Sequence, residues 1–532
     1  EATMKTYDIL GNIALNYQPN TKFNFDAMLG IYYNYNSENL FVPGKSQPSI
    51  APLMDGYAHN TVRGGVGLGY NIYAKAQGSY KHTFKERHNV TASLGYQLIT
   101  SRREYDHAEV VNTTSDFYKT LDRSESDYGK KIDGYEDIWN WMNVYARLYY
   151  NYNHLFYLSA TLAADAASST GKNSVRLQWL PGVNLGINLK NTVFLQDVNG
   201  IDEFLVRGAW AVLGNSRYSS VYSQNYYVNQ PFHDIVGMVK ENIPNSRLKP
   251  EKVESYNAGI DFSLLGRRLA LSLNYYRENT RDMLLGKEMP SAYGYGRMFT
   301  NAGKLKTDAV EASLHLNLLQ RGQFQWYAGG NITHYKTKVS SLGGEKSMIT
   351  DFSDGSQLIT QVGESPFAFY GFEAGEVFST QEDADAAGLV SYNGNSFQAG
   401  DIHFADRNGD HVIDDADRTI LGSATPDFFG GFYTGFRYRG LELSALFSYS
   451  YGNEIYNVTR RNLESLDGFT NQTETAARRW NNYGQITDMP RANYGDPAGN
   501  NRFSSRWIED GSYLKLKNVT LSYTFPKELS FI

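Results

Sequence analysis

Residues 142–152, Met142-Asn143-Val144-Tyr145-Ala146-Arg147-Leu148-Tyr149-Tyr150-Asn151-Tyr152, alternate in character one residue at a time. The even positions are Met142, Val144, Ala146, Leu148, Tyr150 and Tyr152; the odd ones are Asn143, Tyr145, Arg147, Tyr149 and Asn151. Successive side chains of a strand point to opposite faces, so this period gives one greasy face and one wet face. The next segment repeats it, with Phe156, Leu158, Ala160, Leu162 and Ala164 set against Tyr157, Ser159, Thr161 and Asp165. Asn153-His154 between the two reads as a tight hairpin.

Working outward, the same pattern recurs. Val175, Leu177, Trp179, Val183, Leu185 and Ile187 oppose Arg176, Gln178, Asn184 and Asn188. Leu269, Leu271 and Leu273 oppose Ser272 and Asn274; Val310, Ala312, Leu314 and Leu316 oppose Glu311, Ser313 and His315; Leu441, Leu443, Ala445 and Phe447 oppose Glu442, Ser444 and Ser448. Roughly fifteen segments of about 10–14 residues are expected, the length a membrane barrel strand requires. The connections alternate in length. Short ones fall at residues 19–22, 85–88, 153–154, 265–268, 320–323 and 439–440, and long ones at 38–60, 104–140, 216–250, 284–306, 340–427 and 454–511. Short turns on one rim and long loops on the other describe an outer-membrane barrel, with the short set periplasmic. Aromatics cluster at segment ends, as at Tyr149, Tyr150, Tyr152 and Phe156, where rings with polar tips suit the headgroup level.

Composition agrees. The 532 residues include 41 Tyr and 28 Phe but only 14 Pro, and mean hydropathy is negative, as expected of strands apolar on one face. No apolar run is long enough for a membrane-spanning helix, which says nothing against spanning strands. A formal net charge of −6 without a basic block leaves a nucleic-acid partner without electrostatic support. Cysteine is absent, which removes disulfides, thiolate metal sites and cysteine nucleophiles. The fold class expected is therefore all-β, a transmembrane antiparallel barrel. Residues 1–532 are read as one barrel domain truncated at both ends, with residues 340–427 as a long extracellular loop.

Several stretches resemble the text of SusC-like TonB-dependent receptors. Residues 206–215 (VRGAWAVLGN) are similar to that family's strand ending in a Gly-Asn turn, and residues 248–262 (LKPEKVESYNAGIDF) to its next segment. Residues 362–366 with 369–372, Gly400-Asp401-Ile402, Pro426, Gly431-Phe432, Gly452-Asn453, Ile455-Tyr456-Asn457 and Pro490-Arg491-Ala492 follow in order. The most specific stretch is residues 506–520, RWIEDGSYLKLKNVT. The resemblance covers most of the chain from Met142 onward. It implies a barrel of about 22 strands plugged in the lumen, located in the outer membrane of Bacteroidota-type bacteria. It implies energy drawn from a TonB complex through an N-terminal Ton box, a SusD-like surface lipoprotein as partner, outer-membrane lipid around the wall, and oligosaccharide or oligopeptide as substrate. Neither plug nor Ton box can be recognised in these residues, so the TonB contact is expected through a region missing from them.

Candidate sites are few. Residues 406–417 (DRNGDHVIDDAD) place Asp406, Asn408, Asp410, Asp414 and Asp417 at positions 1, 3, 5, 9 and 12, with the Val412 carbonyl at position 7. That is the ligand order of an EF-hand-like loop, so a structural calcium ion is expected there, although no cofactor is required. Two departures stand out: His411 replaces the turn glycine, and Asp417 is one methylene shorter than the usual Glu. Residues 64–69 (GGVGLG) precede alternating sequence rather than a helix, which excludes a dinucleotide loop. No HExxH, GxSxG or Walker A text occurs, and no enzyme activity is expected. His315 should face the lumen. The Tyr/Asn-rich residues 218–229 and 291–301 offer sugar or peptide contacts. The rival reading is a passive or structural barrel, such as a scaffold in a secretion or surface complex; an outer-membrane barrel enzyme is the weaker rival.

Overall fold

Alternating sequence commits the backbone to extended conformation, and a strand with one apolar face needs neighbours in matching register. The computed structural model describes the chain apart from residues 45–51, 54–55, 58–59, 114, 118, 122–129, 233–234 and 526–532. Fifteen strands lie in chain order in one sheet: β1 (Ala2–Tyr17), β2 (Phe23–Val42), β3 (Thr61–Phe84), β4 (His88–Val111), β5 (Lys130–Tyr152), β6 (Phe156–Ala167), β7 (Gln178–Asn188), β8 (Ile201–Asn215), β9 (Glu251–Leu264), β10 (Leu269–Glu288), β11 (Arg297–Arg321), β12 (Phe324–Leu342), β13 (Phe428–Tyr438), β14 (Leu441–Tyr451) and β15 (Tyr513–Tyr523). By contact the chain divides into two units. One comprises residues 1–188, 207–255 and 280–301, the other residues 189–206, 256–279 and 302–532.

The short turns fall where the sequence places them. In Asn153-His154 both φ angles are positive, at 45° and 55°, and Leu155 N donates to Tyr152 O at 2.8 Å. This mirror-image turn matches the twist of the flanking strands. Arg439-Gly440 makes the same kind of turn, and the glycine accepts φ 83° without a Cβ penalty.

Strand lengths correct the expectation. Strands β3 and β4 each run 24 residues and β5 runs 23, well past the 10–14 read from alternation. Residues 104–110 and 130–136, expected as loop, pair with each other as strand, and residues 137–140 pair with 100–103. The apolar contrast ends near Asn140 while hydrogen bonding continues. Beyond that point Arg102 bonds Glu136 at 2.6 Å and Glu104 at 3.3 Å, a charged surface suited to water rather than lipid.

Burial assigns the two faces. On β5, Asn143, Tyr145 and Asn151 are only 7%, 6% and 4% exposed, whereas Met142, Val144 and Leu148 are 37%, 42% and 41% exposed. The wet positions are inside and the greasy ones outside, the reverse of a soluble sandwich. Leu162 on β6, Leu185 and Ile187 on β7, Leu314 on β11, Phe432 on β13 and Leu443 on β14 are exposed likewise. No helix among the described residues is long and apolar enough to cross a membrane.

Candidate functional site

Within the first unit, the wet face is built by tyrosines lying across glycines. Tyr145 pairs with Gly95, where a Cβ would overlap the ring. Lying flat, Tyr145 reaches two strands away and donates to Gln77 Oε1 at 2.6 Å. Asp165 accepts from Trp141 Nε1 at 3.2 Å and from the Asn143 amide. The second unit repeats the device. Tyr327 pairs with Gly435 and donates to Glu442 Oε1 at 2.6 Å, while Tyr433 pairs with Gly329 and meets His315 Nδ1 at 2.7 Å. His315 thus shares a face with Tyr327 and Tyr433, the wet one. Asp261 on β9 accepts from Ser272 Oγ at 2.5 Å. These side chains hold one another, which makes the wall a stiff polar surface rather than a set of free acids and bases.

The loops expected to contact substrate meet in the first unit. Tyr222 and Phe299 stack with centroids 3.7 Å apart and planes at 18°. Asn245 Nδ2 donates to Phe299 O at 3.0 Å, and Asn301 Nδ2 donates to the carbonyls of Lys249 and Asp282, each at 2.8 Å. The side chains of Asn229 and Ser291 lie outside the described residues.

In the second unit, residues 340–427 and 452–511 fold into a layer with its own core. Phe372, Phe378, Leu389, Phe397, Ile402, Phe404 and Ile413 are buried together. The helix α1 (Gln381–Ala387) is capped by Thr380, whose hydroxyl accepts from Asp383 N, and closed by Gly388 at φ 62°. Asp401 is fully buried and receives Arg491 Nε at 2.9 Å, Arg491 Nη2 at 3.0 Å, Asn500 Nδ2 at 2.9 Å and Gln398 N at 2.9 Å. Gly400 beside it takes φ 88°, and a Cβ there would strike Trp480 and Arg491. Trp507 is fully buried, with the Arg506 guanidinium 4.7 Å from its ring and that of Arg460 at 5.8 Å. Arg460 in turn bonds Glu464 at 3.1 Å and Glu509 at 2.9 Å. Hydrogen bonds from Asn457 and Arg460 hold the Glu509 carboxyl below its usual range, and burial brings Arg506 down to about 10. The family-like stretches around Gly400, Pro490 and Arg506 are therefore the joints of this layer. In sequence they stand only as family text, because their partners lie ninety residues away for Asp401 and Arg491 and more than forty for Arg506 and Glu509, with no periodicity to link them.

Residues 406–417 form one closed turn. Asp406 accepts from Gly409 N at 2.8 Å and His411 N at 2.9 Å, and Asp410 accepts from Val412 N at 2.8 Å. Asn408 accepts from Asp410 N at 3.0 Å, and Asp414 from Ala416 N at 2.8 Å. His411 takes φ 62°, so the residue standing where glycine was expected still makes the turn. Asp417 is fully buried and accepts from Arg407 N at 2.8 Å and Asp414 N at 3.0 Å. Backbone amides, first those of His411 and Gly409, hold the Asp406 carboxyl below its usual range against the opposing effect of burial. Among the described residues no group of three or more His, Asp or Glu side chains converges as a metal site.

The family model described as TonB dependent receptor-like, beta-barrel matches residues 3–363. TonB-dependent receptor P39 of Formosa agariphila is 26% identical over 539 aligned residues, covering 94% of this chain and 50% of its own length. TonB-dependent receptor SusC of Bacteroides thetaiotaomicron is 25% identical over 413 residues, covering 72% of this chain and 38% of its own. The solved RagAB peptide transporter superposes with a TM-score of 0.80 at 22% identity, over 99% of this chain and 56% of that one, a likeness of fold. The chain spans about half the length of the Formosa relatives it matches. With its greasy face outward, its wet face inward and its turns sorted by length, the chain belongs to the TonB-dependent receptor-like β-barrel family of the bacterial outer membrane.

Proposed function

We propose that this chain is the wall and outer loop layer of an active importer that brings oligomeric nutrients, glycan or peptide fragments, across the outer membrane. The observation that carries this reading is the polar strand face of interlocked Tyr, Gln and carboxylate groups found in each unit, together with a loop layer that has a core of its own. A wall of fixed donors and acceptors suits polar oligomers better than lipids. Relatives named as TonB-dependent receptors and a fold shared with a peptide transporter point the same way. In this reading a TonB complex energises the full-length receptor, and a SusD-like lipoprotein sits on the extracellular loops. The family is one of receptors rather than enzymes, and the polar groups described here are engaged with one another rather than poised around a reacting centre.

Uptake tests it. Cells expressing the full-length receptor should accumulate labelled oligosaccharides or oligopeptides only when TonB is present. Entry that is unchanged by loss of TonB would instead identify a passive barrel.

A calcium ion in residues 406–417 is a separate proposal. It is supported by the spacing of the oxygens and by the left-handed His411 backbone. If calcium binds, adding it to chelator-treated receptor should raise the unfolding temperature of the loop layer, and Asp406→Asn should abolish that rise. Equal unfolding in calcium and in chelator would leave the turn as one held by its own amides.

A further inference from the structure

We propose that the long-connection end of the first unit carries a recognition cleft for acid-bearing oligosaccharides, in which Lys172 and Arg176 receive the carboxylate; this rests on the importer reading above. A cleft of about 790 Å³ opens between the segment following β6 and the connection from β8 to β9. That volume lies within the usual range for ligand sites. Its charged lining consists of Lys172 and Arg176 alone, with no Asp or Glu, and both cations are exposed and without an ion pair among the described residues.

Arg176 lies in the irregular segment two residues before β7 begins, and it lines the cleft. Gln178 pairs with Asp165 and is buried, whereas Val175 and Leu177 flank Arg176 at 72% and 38% exposure. The carboxylate in that register row, Asp165, is already held by Trp141 and Asn143, which leaves the cationic end of the cleft without an acidic partner.

The walls are fixed before any ligand arrives. Gly171 N donates to Leu248 O and Asn173 N to Ser246 O, each at 2.8 Å, and Asn173 Nδ2 donates to Ser246 Oγ at 3.1 Å. At Gly171 a Cβ would strike the backbone of Ser246, so the two segments pack main chain to main chain. A rigid cleft loses little order on binding, which favours affinity.

The lining selects the ligand class. Apart from one alanine and one proline, the cleft presents hydroxyls, the amides of Asn173, Gln224 and Asn225, and the two cations. Among the described residues no large apolar side chain lines the cleft to seat a peptide side chain. Amides and hydroxyls match a polyol, and the planar fork of Arg176 matches a carboxylate in a two-bond arrangement. A uronate-bearing oligosaccharide satisfies both.

The test uses full-length receptor purified in detergent, with a hexuronate tetramer and its carboxyl-reduced neutral counterpart as probes in calorimetric titration. Wild type is expected to bind the acidic tetramer about tenfold more tightly, with the preference shrinking as salt rises. Lys172→Gln/Arg176→Gln should abolish the preference for the acidic tetramer, while unheated gel migration identical to wild type certifies the fold. Equal affinity of wild type for both tetramers, or a preference that survives in the double variant, would overturn the proposal. So would an acidic hexapeptide that binds with the same dependence on these two residues while the hexuronate does not. Failure of the importer reading is separable, because it is read from TonB-dependent uptake in cells and not from this titration.

Discussion

Arg491→Ala is expected to loosen the loop layer while leaving the strands folded. Asp401 is completely buried and its carboxylate depends on Arg491 for two of its four hydrogen bonds. Removing one partner of such a pair leaves a charge buried without compensation, a loss of about 3–5 kcal/mol. The damage should stay local, since the pair joins residues 401 and 491, and their hydrogen bonds run to Phe378, Gln398, Gly400 and Asn500 within the layer. Limited proteolysis of detergent-solubilised receptor should show new cleavage within residues 340–427 and 454–511, while the heat-resistant migration characteristic of a folded barrel persists. Asp401→Asn keeps the shape and removes the charge that the guanidinium pairs with, so a smaller effect is expected. An unchanged digestion pattern for Arg491→Ala would mean that the layer is held by its apolar core without need of the ion pair.

How much of this was legible beforehand follows from the range over which each signal acts. Period-two alternation is local, so residues 142–152 alone disclose an extended segment with unlike faces, and burial bears this out at Met142–Tyr145, Leu148 and Asn151, although Arg147 and Tyr149 on the wet face are exposed. Turn positions were legible for the same reason. Strand ends were not: past Asn140 both faces of β5 are polar or mixed, the contrast vanishes, and only the hydrogen-bond ladder to β4 reveals that the strand continues. The loop layer was the least legible part. Phe372, Phe404 and Ala498 are brought into one core by chain segments far apart in sequence, and nothing near any of them announces it. The stretch at residues 506–520 was read correctly as family text. Its physical content emerged only from the structure: Trp507 sits beneath two guanidinium groups, and Glu509 is held by Asn457 and Arg460. The Asp-rich turn shows the opposite limit. Spacing suggested ligands, yet spacing cannot tell whether the oxygens look toward an ion or toward the amides of their own turn.

Leu148→Arg is expected to destabilise the folded receptor in lipid by about 1–3 kcal/mol, between the loss for arginine at the bilayer midplane and that near its interface, since Leu148 adjoins the headgroup-level Tyr149. Leu148 is 41% exposed, lies within the apolar band of residues 142–152 and pairs with Ala92 on β4 and Ala160 on β6. Neither small neighbour has a polar group to receive the guanidinium. Ile132 supplies the comparison. It stands on the same face of the same strand and is more exposed, at 86%, but lies beyond the charged residues Arg102, Glu104 and Glu136. Ile132→Arg is therefore expected to change stability by no more than about 0.5 kcal/mol, as is usual for a surface substitution in water. Exposure alone predicts the wrong order, since the more exposed site is the tolerant one. Only a solvent that changes from hydrocarbon to water along β5 gives Leu148 the larger penalty. Folding into lipid vesicles from denaturant, followed by gel migration without heating, reads both variants side by side. Two equally mild variants would mean that water bathes the greasy face along its whole length, and the membrane assignment of this strand would fall with it.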